Sequence, residues 1–177
     1  MDRAASFINI DNLEVLACAK YEDFVKKIIG TQKNGQSSFV ISLLAQWIHQ
    51  KLPNDQSSIS FIPVPTSPFS KLHLVETLTL ELQNIGHPYF LPIGKKTFSK
   101  KQKFLSVDQR EFQTNEYYPV QTLAFQRKRA PTPVLLLDDV LTTGSTLSFC
   151  KDVLEKHFSD IFELKGACVL AYTPKYC

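Results

Sequence analysis

The sequence has no run of the roughly 18 apolar residues that a membrane-spanning helix requires, so a helical membrane protein is not expected. It also has no C-x-x-C pair. Cys18, Cys150, Cys168 and Cys177 are scattered, which argues against a zinc ribbon and against a disulfide framework and leaves reduced, packing cysteines as the plain reading. Charge of one sign is not in great excess: the net value of +3 over 177 residues is too small to imply nucleic-acid binding by itself. The opening residues carry one basic side chain, Arg3, and no long apolar run before the acidic Asp11 and Glu14, so no secretory signal is expected and the cytoplasm is the expected compartment. Repeats and low-complexity tracts are missing too, and no composition shift marks a domain boundary.

What is present suits one compact domain over 1–177, whose size implies burial of roughly 70% of the surface the unfolded chain exposes. Leu13, Leu16, Tyr21, Phe24, Val25, Ile28 and Ile29 recur at helical spacing, as do Val40, Leu43, Leu44, Trp47 and Ile48, which predicts two amphipathic helices at the start. The segment 59–65 reads as a strand closed by Pro63 and Pro65. A third helix follows with Leu74, Val75, Leu78, Leu82 and Ile85 on one face and Gly86 as its C-cap. Short strands are expected at 89–93 and 120–125, and the lysine-rich stretch 95–105 reads as a mobile loop. Val134-Leu135-Leu136-Leu137 is a continuous apolar run, as in a strand covered on both faces. A helix carrying Leu147, Cys150, Val153, Leu154 and Phe158 inward comes next, then a last strand at 165–172. Strands alternating with helices predict an α/β fold: a mostly parallel, doubly wound sheet of about five strands with flanking helices. Residues 1–57 would form a helical N-terminal part, and 58–177 the core sheet and ligand site.

In such a sheet, ligands sit beyond the carboxyl ends of the strands, where the chain turns into the next helix. The segment Asp138-Asp139-Val140-Leu141-Thr142-Thr143-Gly144-Ser145-Thr146 falls there. Thr142, Thr143, Ser145 and Thr146 offer hydroxyls, Gly144 permits a tight turn, and the first amides of the following helix have no intrahelical acceptor, which together make a phosphate cradle. Two adjacent carboxylates beside a phosphate repel it unless the ligand places hydroxyls between them. A ribose 5-phosphate does so: its 2′- and 3′-hydroxyls can donate to Asp138 and Asp139 while its phosphate enters the loop. The acids would then also favour positive charge growing at C1 in an oxocarbenium-like transition state. The plainer alternative, in which the acids end a strand and cap a helix, does not account for Thr-Thr-Gly-Ser-Thr directly after a buried strand.

Residues 134–146 resemble the 5-phosphoribosyl-1-pyrophosphate (PRPP) signature of type I phosphoribosyltransferases almost without substitution. Three further segments are similar to the competence protein F (ComF) branch of that family. They are Tyr21 through Lys33-Asn34-Gly35, with Asn34 where tyrosine is usual; Ile62-Pro63-Val64-Pro65; and Gln102-Lys103-Phe104-Leu105-Ser106 with Arg110. The likeness runs from about Tyr21 to the C-terminus. The branch's Arg-Gly-Phe-Asn-Gln element is replaced by Phe69-Ser70-Lys71-Leu72-His73-Leu74, its usual asparagine appears as Gln113, and the four-cysteine zinc module of many members has no counterpart.

The resemblance implies a type I phosphoribosyltransferase fold, PRPP as substrate with Mg²⁺ as companion of the pyrophosphate, and an unidentified nitrogenous acceptor. It implies that Asp138 and Asp139 are catalytic and that Thr142, Thr143, Gly144, Ser145 and Thr146 bind the 5′-phosphate. Thr66 and Ser67 would lie on the pyrophosphate side, with Lys101, Lys103 and Arg110 as further contacts there. No separate protein metal site is expected, and the reading leaves room for a homodimer. Tyr172 and Tyr176 are the candidates to stack on a base, set against the plainer reading of both as exposed tyrosines. Two other readings compete. Gly30-Thr31-Gln32-Lys33-Asn34-Gly35-Gln36-Ser37 has Walker A spacing, but Gln36 stands where the phosphate-binding lysine belongs and the run follows a helix. The second is a catalytically silent PRPP- or nucleotide-binding protein acting in DNA uptake or regulation. Direct DNA binding has no groove-reading motif behind it.

Overall fold

The computed structural model describes residues 6–34, 37–53, 59–66, 74–95, 117–120 and 130–173. The chain opens on strands β1 (Ser6–Ile10) and β2 (Leu13–Lys20), followed by helices α1 (Asp23–Asn34) and α2 (Ser38–Lys51). Strand β3 (Ser60–Pro63), helix α3 (Leu74–Asn84) and the short strands β4 (Ile93–Lys95) and β5 (Tyr117–Pro119) come next. The chain then runs through β6 (Thr132–Leu141), α4 (Ser145–Phe158) and β7 (Phe162–Tyr172).

The main sheet has the order β1-β2-β7-β6-β3. Strands β2, β7, β6 and β3 are mutually parallel and β1 is an antiparallel edge; β4 and β5 form a separate antiparallel ribbon. Helices α1–α3 bring Ile29, Ile48 and Leu78 onto one face of the sheet against Phe61, Leu135 and Leu137. On the opposite face α4 buries Leu147, Cys150, Leu154 and Phe158 against Val134, Leu136 and Val169. Full burial of an aliphatic or aromatic side chain contributes about 1.5–3 kcal/mol, so Leu147, Leu154 and Phe158 anchor α4, and with it the loop that precedes it, to the sheet.

One expected helix is formed only in part, with Phe24, Val25, Ile28 and Ile29 lying in α1. The apolar spacing at 13–29 predicts a single amphipathic helix, yet the first eight of those residues are β2. Both faces of β2 are buried: Leu13, Val15 and Ala17 face α4, and Leu16 and Cys18 face α1–α3. A strand covered on both sides loses the apolar-polar alternation that betrays an exposed strand, and Leu13 with Leu16 then imitates a helical repeat. Between β1 and β2, Asp11 and Asn12 take left-handed φ values of 48° and 62°, a two-residue hairpin turn of the type that favours Asn and Asp. The first 57 residues thus supply two strands to the sheet as well as α1 and α2. In the expected strand at 89–93, Tyr89 makes an isolated parallel bridge to Phe61, and the continuous strand begins at Ile93. The strand β5 at Tyr117–Pro119 was not expected, and residues 121–125 of the strand expected at 120–125 lie outside the described residues, as does the lysine-rich stretch beyond Lys95.

The third helix ends as expected on Gly86. The Gly86 amide donates to Gln83 and the His87 amide to Leu82, while Gly86 takes a φ of 106°, a Schellman closure that needs the left-handed region. This closure delivers His87, fully buried, beneath Phe61, with ring centroids 5.4 Å apart. Its Nδ1–H donates to the Ile59 carbonyl at 3.1 Å, which leaves Nε2 to accept the Nδ1–H of His49 at 2.8 Å. Burial lowers the His87 pKa below the ordinary 6.5, partly opposed by the Ile59 carbonyl and reinforced by His49. A folded-state value below the unfolded one means the unfolded chain binds the extra proton first. The stability His87 contributes is therefore complete above about pH 6.5 and declines as pH falls toward the folded value. Melting temperature measured from pH 8 to pH 5 should fall through this window more steeply in the native protein than in a His87→Phe variant; parallel curves would contradict the assignment.

Candidate functional site

The doubly wound topology creates a switch point. From β3 the chain crosses through α3 outward to Tyr89, whereas from β6 it crosses through α4 inward to β7. The two connections leave in opposite directions, and the crevice outside the carboxyl ends of β3 and β6 is where open α/β sheets take their ligands.

Strand β6 is central, which explains its uninterrupted aliphatic run from Val134 to Leu137. It continues to Leu141, so Asp138 and Asp139 lie within the strand and not just after it. Pairing with β3 ends at Pro63 opposite Leu137, closed by the Val64 amide on the Leu137 carbonyl at 2.8 Å, while pairing with β7 runs on to Tyr172. The acids therefore stand where β6 has outrun its β3 neighbour, on the crevice side. Both are half-buried, and the Asp138 carboxylate accepts the Asp139 amide at 2.8 Å. Val134, Leu136 and Leu141 pack on the α4 side and Leu135, Leu137 and Val140 on the α1–α3 side. The β6–β7 register shifts between Val134 and Leu135 and is constant from there past the acids to Leu141.

After Leu141 the loop is short. Thr142, Thr143 and Ser145 are exposed, Thr146 is half-buried, and the Thr143 and Ser145 hydroxyls lie 2.8 Å apart. Gly144, at φ 78°, is the N-cap of α4, and no side chain caps the helix there. Its carbonyl accepts the Ser148 amide at 3.0 Å, which starts the helix. The amides of Ser145, Thr146 and Leu147 precede the first intrahelical bond and point out of the helix end, as an anion would need. Because the N-cap is a glycine, the simple capping role for the acids and hydroxyls does not describe this turn. Gly144 is also pressed from behind: a Cβ built on it would lie 2.7 Å from Ile10 Cγ2 and 2.9 Å from Cδ1.

Asp138, Asp139 and Thr142–Thr146 thus form one strand–loop–helix unit at the switch point. Thr66 is half-buried three residues beyond the end of β3, on the same edge of the sheet. Ser67, Lys101, Lys103, Arg110 and Tyr176 lie outside the described residues. Tyr172 does not serve as a stacking platform, because it is only 3% exposed and packs into the core beneath α4. The Walker-like spacing is also set aside, since Gly30 to Asn34 belongs to α1. Cys18, Cys150 and Cys168 are buried and unbridged, and the neighbouring Cys18 thiol together with burial pushes Cys168 well up from its ordinary pKa. Among the described residues no group of three or more His, Cys, Asp and Glu side chains could hold a metal, and no helix is long and apolar enough to cross a membrane.

A cavity of about 470 Å³ that the sequence did not signal lies beside this unit. Pro63, Val64 and Pro65 form one wall, Glu76, Thr79 and Leu80 of α3 another, and Tyr89, Leu91, Ile93 and Val120 the rest; none of 138–146 lines it. The Thr79 hydroxyl donates back to the Val75 carbonyl at 2.6 Å, so this wall is less polar than its sequence suggests. The cavity meets the acids' strand through Val64, whose amide bonds Leu137.

No protein-family model matches the sequence, and no curated protein matches it. Among solved structures, the chain is similar to adenine phosphoribosyl transferase from Trypanosoma brucei in complex with AMP, pyrophosphate and ribose-5-phosphate, at TM-score 0.49 and 14% identity over 92% of this chain and 87% of that one. It is similar to the allosteric regulatory enzyme of purine biosynthesis at TM-score 0.45 and 15% identity, where 95% of this chain spans 28% of that one. A third similarity is to Helicobacter pylori xanthine-guanine-hypoxanthine phosphoribosyltransferase, at TM-score 0.39 and 13% identity over 79% of this chain and 87% of that one.

Proposed function

We propose that the protein binds Mg²⁺-PRPP at the carboxyl end of β6 and transfers the phosphoribosyl group to a nitrogenous acceptor, releasing pyrophosphate. The observation that carries this reading is the arrangement at the switch point: two adjacent carboxylates where β6 outruns β3, then a hydroxyl-rich loop turning on a left-handed Gly144 into the uncapped start of α4.

In this reading the amides of Ser145 and Thr146 and the hydroxyls of Thr142, Thr143, Ser145 and Thr146 hold the 5′-phosphate. The helix end itself contributes only about 0.3–1 kcal/mol toward an anion, up to about 2 when partly buried, so the converging donors supply most of the affinity. Asp138 and Asp139 accept the 2′- and 3′-hydroxyls and fix the ribose. Their charge also favours the cationic character that develops at C1 as the pyrophosphate departs, and the acceptor nitrogen then bonds to C1 from the opposite face with inversion. Thr66 and Ser67 beyond β3, with Lys101, Lys103 and Arg110, are assigned to the pyrophosphate side on the sequence resemblance. The donor set fits Mg²⁺, which keeps several waters and phosphate oxygens as ligands and asks the protein for one or two carboxylates, here Asp138 or Asp139. When bound, the ion would neutralise the departing pyrophosphate. The apolar cavity along Pro63–Pro65 suits a flat acceptor entering beside the sugar.

The test is release of pyrophosphate from Mg²⁺-PRPP across a panel of purine and pyrimidine bases and simple amines. Release with at least one acceptor is expected. Saturable PRPP binding without release from any of them would favour the silent binding role, which the segments shared with the competence protein F branch would then place beside DNA uptake.

A further inference from the structure

We infer that Ile10 and Asp11, at the tip of the β1–β2 hairpin, are positioning residues that hold the loop at Thr142–Thr146 in its ligand-ready shape. The inference rests on the proposed role of that loop as a phosphate cradle, and it concerns residues more than 130 positions away in sequence. Three contacts meet over the first two turns of α4. Ile10, itself buried, fills the space against Gly144 that a side chain would need. The Asp11 carboxylate accepts the Ser148 hydroxyl at 2.7 Å. Lys151 donates to the Asp11 carbonyl at 2.7 Å, with Glu155 4.0 Å from the same ammonium.

The first turn of α4 runs from the Gly144 carbonyl to the Ser148 amide. The hairpin therefore grips both ends of that turn, Gly144 through Ile10 and Ser148 through Asp11. The tip is itself restrained, because Asp11 and Asn12 both occupy the left-handed region of a tight two-residue turn. A loop ordered before the ligand arrives does not lose that freedom on binding, and its donors already converge. The Ser148 hydroxyl also engages the Asp11 carboxylate, while Lys151 holds the backbone carbonyl of the same residue.

Two measurements on the full chain test this. Amide hydrogen exchange in the ligand-free protein should accelerate at 142–148 in Ile10→Ala and in Ser148→Ala, while exchange in Val134–Leu137 stays as in the native protein. Ser148 is half-exposed, so its variant retains the fold even if Ile10→Ala does not. By calorimetry, the same variants should bind ribose 5-phosphate about tenfold more weakly with unchanged affinity for inorganic pyrophosphate, and Ile10→Val should restore most of the loss. Unchanged exchange at 142–148 in both variants, or a uniform acceleration that includes Val134–Leu137, would overturn the inference. A native protein that ignores ribose 5-phosphate while its loop still responds to the hairpin variants would instead sink the phosphate-cradle reading and leave the hairpin's hold on the loop established.

Discussion

Replacing Asp138 or Asp139 with asparagine should weaken PRPP binding roughly tenfold to hundredfold, because a hydrogen bond to a charged group is worth about 1.5–3 kcal/mol. The structure makes this a clean substitution. In Asp138→Asn the side-chain amide keeps an oxygen where the carboxylate of Asp138 accepts the Asp139 amide at 2.8 Å, so the local backbone bond survives while the charge is lost. Both residues are half-buried beyond the end of β3 and not within the core, so the variants should melt close to the native temperature. Titration calorimetry with Mg²⁺-PRPP and thermal melting read the two quantities separately. Unchanged affinity in both variants refutes the ribose assignment of the acids.

Gly144→Ala should be the most damaging single change in the loop. An alanine at φ 78° carries the left-handed penalty, and its Cβ would fall 2.7 Å from Ile10 Cγ2, closer than real contacts allow. Strain of this kind costs about 1–3 kcal/mol, and the loop or the hairpin must shift to relieve it. A displacement approaching about 1 Å at the proposed phosphate donors corresponds to a loss on the order of a hundredfold in ligand handling. Both a lower melting temperature and weaker PRPP binding are therefore expected. Thr143→Ala is the control: that side chain is exposed and its hydroxyl meets the Ser145 hydroxyl within the same loop, so affinity should fall with little change in melting. A Gly144→Ala protein with native affinity would show that the turn is not part of the site.

The strand and turn of the candidate site were legible because their signals are local. Val134–Leu137 announces a strand buried on both faces, and Thr-Thr-Gly-Ser-Thr announces the turn from it into α4. Gly86 and the periodicity of Leu74, Leu78 and Leu82 likewise marked α3 and its end. The hairpin was not read because β2 is packed on both sides and Leu13 and Leu16 then mimic a helix. The signal that could have exposed it is the Asp11-Asn12 pair, flanked by Ile8-Asn9-Ile10 and Leu13-Glu14-Val15 in strict alternation. The contact of Ile10 on Gly144 and the cavity between α3 and Leu91 join segments far apart in sequence, and no periodicity encodes them. Tyr172 illustrates the converse error: a tyrosine near the end of the sequence looks like a surface platform, but β7 carries it into the core.

The central claim is that the strand–loop–helix unit from Asp138 to Thr146 grips a phosphorylated ribose, and titration of the folded protein with Mg²⁺-PRPP tests it most directly. A saturable heat that is reduced in the Asp138→Asn protein is the predicted result. A folded, native-melting sample that gives no saturable heat with Mg²⁺-PRPP would contradict the account.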